Sequence, residues 1–141
     1  MNGMANRQYK DTVFRQFFNH EREIAELYQA IRPQDDIREE DITISTLDDV
    51  FLDQQKNDLS FLWKDQSVVL VEHQSSINPN MPYRLLIYSV LVMLTSFVDS
   101  KALYGTKLVT IPAPHFYVLY IGDDMEKDED TLRLSAAFKE T

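Results

Sequence analysis

Val13, Phe14, Phe17, Phe18, Ile24, Leu27, Tyr28 and Ile31 recur at helical spacing and make one broad apolar face. The spacing predicts a first helix from about Asp11, as N-cap, to about Ile31, just ahead of Pro33. After a loop holding Asp35 and Asp36, Ile42, Ile44 and Leu47 alternate with polar residues and read as a strand. Residues 58–63 predict a second strand and the valine-rich run 67–74 a third. Only Lys64, Asp65 and Gln66 lie between them, so these two strands form an antiparallel hairpin. Asn78, Pro79 and Asn80 break the chain, and Pro82 suits the first turn of a second helix. That helix carries Leu85, Leu86, Tyr88, Val90, Leu91 and Leu94, apolar nearly all round, and is expected to be buried. Pro112 and Pro114 punctuate the next loop, and the almost continuously apolar run 116–121 is expected to be a central strand. The order helix, three strands, helix, strand defines an α/β domain, layered around a small mixed sheet flanked by helices.

Length and composition narrow this picture. The 141 residues amount to one domain, and 44% hydrophobic residues supply a core that needs no staple. The absence of cysteine excludes a disulfide framework, a thiol nucleophile, a zinc–thiolate site and an iron–sulfur cluster. The first ten residues are polar and lack the apolar stretch of a signal peptide. The longest uncharged apolar run, 85–98, falls short of the roughly 20 residues that cross a bilayer and reads as a buried helix. The expectation is a cytoplasmic protein without a membrane partner.

The net charge of −9 argues against an extended basic footprint of the kind that holds nucleic acid by its phosphates. Two short segments carry all of it: five acids against Arg38 in 35–41, and six against Lys127 in 123–130. Both read as solvated loops. One domain over 1–122 is followed by an acidic tail, or the start of a further segment, over 123–141.

Polar residues inside the hairpin are the informative ones. Side chains alternate along a strand, so Glu72 and Gln74 share one face and His73 takes the other. A three-residue turn at 64–66 sets Asp58 opposite Glu72; a two-residue turn would pair it with His73 instead. The three-residue register is the expectation. Two carboxylates side by side repel unless a cation lies between them, and oxygen ligands of this kind suit Mg²⁺ or Mn²⁺. On spacing alone, sheet-end residues facing solvent account for such a pair better. His73 reads as a satisfied histidine of the core or of the second sheet face, and His20 and His115 are isolated. Trp63, Tyr83 and Tyr88 read as core, while Arg84 and Lys10 are candidates for phosphate contact or plain surface charges.

Four stretches carry a resemblance: YKDTVFRQFF at 9–18, NDLSFL at 57–62, VVLVEHQSSINPNMPYRLLIY at 68–88 and LYGTKLVTIPAPHFYVLYIG at 103–122. With them the chain resembles the Rpn family of recombination-promoting nucleases and putative transposases, a branch of the PD-(D/E)XK phosphodiesterases. The run from Glu72 to Pro82 is the most specific part. The resemblance implies the αβββαβ core of that superfamily. It assigns Asp58 to the metal-binding aspartate, Glu72 to the acid of the E-x-K signature, and Gln74 to the place usually held by lysine. It implies Mg²⁺, or Mn²⁺, held by Asp58, Glu72 and the backbone carbonyl of His73. Glu26 is a further metal candidate on the first helix, with Glu23 competing for that role. Asn57 replaces the signature proline. Glutamine lacks the lysine's charge, but its amide still orients a water or donates to a phosphate oxygen.

The expected function is therefore a Mg²⁺-dependent endodeoxyribonuclease domain that hydrolyses phosphodiester bonds of DNA in recombination, transposition or defence against foreign DNA. A homodimer or a full-length nuclease is the expected protein partner. Members of the family are usually longer, which brings in an alternative: a truncated, non-catalytic paralogue that binds a full-length nuclease and regulates it.

Overall fold

A computed structural model describes residues 13–14, 16–45, 58–122 and 128–140. Its regular elements are helix α1 (Glu21–Ile31), strands β1 (Ile42–Ile44), β2 (Leu59–Trp63) and β3 (Ser67–Gln74), helix α2 (Met81–Val92) and strand β4 (Ala113–Tyr120). The four strands form one sheet in the order β1-β2-β3-β4. The first three pair antiparallel, and β4 pairs parallel to β3. The protein is thus an α/β domain built on a small mixed sheet.

The apolar residues divide into two clusters, one on each face of the sheet. Alternation along β3 sends Val69 and Val71 to one side and Val68 and Leu70 to the other, all fully buried. On the first side they meet Ile24 and Tyr28 of α1, with Leu59 and Phe61 of β2. On the second they meet Met81, Leu85, Tyr88 and Val92 of α2, with Leu62. The tyrosine ring of Tyr28 packs edge-on against Phe61, Trp63 and Tyr117. Its hydroxyl is pushed up to about 12 by burial and by Tyr117. At the end of α1, Arg32 pairs with Asp35 and donates to the Tyr117 hydroxyl, tying the helix to β4.

The hairpin has the three-residue register expected of it. Trp63 pairs with Ser67 and Leu59 with Val71, and the same register carried one residue further sets Asp58 across from Glu72. Lys64 and Asp65 both take φ of 55°, the left-handed turn that matches the twist of antiparallel strands, and the Gln66 N–H closes it on the Trp63 carbonyl.

Four expectations change. The first helix is not continuous: Val13, Phe14, Gln16 and Phe17 are helical, but Phe18 to His20 leave the helix, and His20 is extended where α1 begins. The apolar stripe has a gap there, because positions 20 and 21 are His and Glu. The proposed N-cap Asp11 lies outside the described residues, as do Leu47, Lys10 and Asn57.

Residues 116–120 belong to β4, which among the described residues is an edge strand and not a central one. Its residues are apolar on both sides because Phe116 and Val118 pack towards α2 while Tyr117 and Leu119 pack towards α1. Odd positions of β4 turn their N–H groups to β3, so Pro114 lies on the outer edge, where it deprives a would-be neighbour of a donor.

The second helix is not buried all round. Tyr83 is 57% exposed, and Val90 and Leu94 are exposed too, so α2 buries one face only. Tyr83 is accordingly not a core residue. A π-helical turn, Met93–Phe97, continues α2.

Among the described residues, no helix is long and apolar enough to cross a membrane. Beyond 127 the chain lays a short 3-10 turn, Leu134–Ala137, against α2.

Candidate functional site

The end of the central hairpin brings Asp58 and Glu72 together. Glu72 is on β3 one residue past Val71, facing α2, and only 2% of it is exposed. Asp58 stands immediately before β2 in a bend and is also buried. Glu72 Oε2 accepts the Asp58 backbone N–H at 3.0 Å. Asp58 Oδ2 accepts two hydrogen bonds from His73, one from its backbone N–H at 2.9 Å and one from its ring Nδ1 at 2.9 Å.

The electrostatics of the two acids diverge. Burial drives the Glu72 carboxyl up to about 10, helped by the neighbouring Asp58 carboxylate. Burial acts on Asp58 in the same sense, but the His73 ring, the neighbouring Glu72 carboxyl and the His73 N–H outweigh it and hold Asp58 below its ordinary value. One of the pair is thus an ionised carboxylate and the other a neutral carboxylic acid. Because an ionised carboxylate only accepts, the His73 ring carries its proton on Nδ1.

Arg84 overlooks this pair from the first turns of α2. It donates to the Met81 sulfur and the Tyr88 hydroxyl at 3.4 and 3.5 Å. Burial works against its charge, but Tyr88, Glu72 and Asp58 outweigh that and raise its pKa above the ordinary value. Gln74 pairs across the sheet with Tyr120, on the face that Glu72 occupies. The Tyr120 hydroxyl is buried without a hydrogen-bond partner among the described residues, and it lies against Gly122, where a side chain would collide with it.

The residues picked from the sequence fall into two groups. Asp58, Glu72, Gln74, His73 and Arg84 gather at one end of the sheet. Glu26 does not join them: it is exposed and pairs with Arg22 along the same helix at 3.7 Å. Its competitor Glu23 is turned inward, with Oε2 buried and lacking a partner among the described residues. His73 is a buried, hydrogen-bonded histidine on the sheet face opposite Glu72. It touches the site carboxylate directly and stacks on Phe14, centroids 4.4 Å apart and planes 11° from parallel. Strand alternation placed it on the far face. Asp58, lying outside the ladder, reaches round the sheet end to meet it.

The donors present fit a hard divalent cation. Glu72 Oε1 is a buried carboxyl oxygen without a hydrogen-bond partner among the described residues, and Asp58 stands beside it. Two carboxylates and a backbone carbonyl are the small protein contribution that Mg²⁺ accepts, its other positions going to water and substrate. Among the described residues, no cluster of three or more His, Asp or Glu side chains is arranged to hold a metal, so the carbonyl of His73 is needed to complete the set.

No family model matches the chain, no curated protein matches it, and no solved structure matches it. What the fold and the site define is a small mixed α/β domain with a buried, hydrogen-bonded carboxyl pair at the end of its central hairpin. The functional reading rests on those residues and their geometry.

Proposed function

We propose that this chain is a metal-dependent endodeoxyribonuclease domain of the Rpn type, with a PD-(D/E)XK core, hydrolysing phosphodiester bonds of DNA. The observation that carries the reading is the Asp58–Glu72 pair: two carboxyls buried side by side at the end of the hairpin, one of them kept neutral by burial and by the other's charge. A fold gains nothing from that repulsion, whereas a divalent cation between the two oxygens removes it.

Asp58, Glu72 and the His73 carbonyl would hold Mg²⁺ or Mn²⁺. When bound, the ion acidifies a water and offsets charge developing on the phosphate. Glu72 would have to be ionised, its proton passed to solvent, to serve as a ligand. Gln74, at the same sheet end, donates its amide N–H to a phosphate oxygen or orients the attacking water. Arg84 supplies the positive charge that glutamine lacks at position 74, held near both carboxyls by α2.

The test is nicking of supercoiled plasmid with Mg²⁺ and Mn²⁺, alongside Asp58→Ala, Glu72→Ala and EDTA. Loss of nicking in all three controls supports the reading. Cleavage that survives Asp58→Ala refutes the site. Metal at about 100 times its Kd should also stabilise the wild type by about 2.7 kcal/mol, and Asp58→Ala should lose that increment.

One observation favours a second reading, the regulatory paralogue. The His73 ring already occupies Asp58 Oδ2, the kind of engagement that would satisfy an aspartate no longer needed for metal. Absence of any metal-dependent stabilisation would select it.

A further inference from the structure

We propose that the His73 side chain is a positioning residue for Asp58, and that Phe14 holds the histidine ring in place to do it. The inference rests on the nuclease reading and deepens it by adding a support for the site carboxylate. Asp58 lies in a bend one residue outside β2, so the sheet ladder does not set its side-chain direction. Two donors of one residue set it instead. The His73 N–H and Nδ1 both converge on Oδ2 at 2.9 Å, which fixes that oxygen and with it the plane of the carboxylate.

The ring in turn has little freedom. It is buried, and its face lies nearly parallel to the Phe14 ring at 4.4 Å. Phe14 lies in the helical residues that precede α1, ahead of the break at Phe18 to His20. Phe14 also packs against Phe18, centroids 4.8 Å apart. A histidine serving the core alone would be satisfied by any acceptor. This one spends its Nδ1 proton on the carboxylate that the mechanism needs ionised and oriented. Partners that orient a ligand in this way typically matter about 10–100-fold to metal affinity or activity when removed.

The test compares His73→Leu, His73→Asn and Phe14→Ala in the whole chain, with Asp58→Ala as the reference for a dead site. Melting in EDTA and circular dichroism check that each variant is folded. His73→Leu is expected to lower Mn²⁺ affinity by calorimetry, and Mg²⁺-dependent nicking, by about 10–100-fold. His73→Asn, whose amide N–H can stand in for Nδ1–H, is expected to restore most of both. Phe14→Ala is expected to fall between them, through kcat with KM for plasmid unchanged. A long-range ¹H–¹⁵N spectrum of the wild-type ring, without metal, should show the proton on Nδ1.

Wild-type affinity and nicking in a folded His73→Leu would overturn the proposal, as would a ring with Nδ1 unprotonated. Should His73→Leu fail to fold, His73→Asn and Phe14→Ala decide: the proposal stands if Asn is near wild type and Phe14→Ala is impaired, and falls if both equal wild type or both equal Asp58→Ala. A wild type that neither binds Mn²⁺ nor nicks DNA refutes the nuclease reading and this role with it. A wild type that does both, with all His73 and Phe14 variants unchanged, refutes this role alone.

Discussion

A carboxyl as buried as Glu72 cannot share a site with ionised Asp58 and be ionised itself without a cation. This gives the metal-free chain a pH dependence with a definite sign. Unfolded, Glu72 loses its proton near 4.5; folded, it keeps it to about 10. Over that window the folded state binds more protons, so stability falls as pH rises. Asp58 works the other way, stabilising the fold above its ordinary 3.8 and ceasing to do so as pH drops through its lowered value. Urea melts in EDTA should therefore show a more stable protein at about pH 5 than at about pH 8, and Glu72→Gln should flatten that decline and be the more stable chain at the higher pH. Gly122 is a residue-scale constraint of another kind. A Cβ there would stand 2.3 Å from the Tyr120 hydroxyl and 2.8 Å from the Ser75 carbonyl oxygen. Gly122→Ala is expected to cost about 1–3 kcal/mol in chemical denaturation, since the backbone as well as the ring must move. The position of Asp58 opposite Glu72 was legible in the sequence, through turn length and strand period. The His73 contact was not, because period-two alternation holds only inside a strand and Asp58 lies just outside one.

At the scale of elements, β2 and β3 form the spine, and the two helices cover their opposite faces. Phe61, fully buried against Tyr28, should cost about 3–5 kcal/mol on truncation to alanine. Val90→Ala, on the exposed face of α2, should stay within about 0.5 kcal/mol in the same melts. The contrast tests a feature that hydropathy hid, since both residues sit in strongly apolar segments. Continuous apolarity reports contact on two sides, and it does not say whether those sides belong to the middle or the edge of a sheet. β4 illustrates this: two helical layers each shield part of it, and its outer edge is left without a strand among the described residues. The break before α1 had a signal, the polar pair at 20 and 21, but helical period on either side of it masked the gap.

The whole molecule is electrically lopsided. Residues 21–45 hold eight acids and three basic residues, a charge of −5, whereas 81–122 hold Arg84, Lys101 and Lys107 against Asp99, a charge of +2. Crowding of like charge over α1 and the loop after it should make the fold more stable as salt screens it, so the urea midpoint is expected to rise between about 0.02 and 0.2 M NaCl at neutral pH. A midpoint that falls would mean that the ion pairs of Arg32 and Arg38 outweigh the repulsion.

Period and turn chemistry by themselves determined the kinds of element, the hairpin and its register, the two-sided apolar β3, and the adjacency of Asp58 and Glu72. These depend on neighbours within a few residues or on one short turn. Tertiary structure alone decided which strand lies at the edge, which face of α2 meets water, how Phe14 reaches His73, which oxygen of Asp58 the histidine takes, and that Glu72 keeps its proton. Each of these is set by burial and by partners distant in the chain: 85 residues separate Arg32 from Tyr117, and 15 separate Asp58 from His73. Local pattern carries no record of such neighbours, because dielectric and contact come into being only when the layers close.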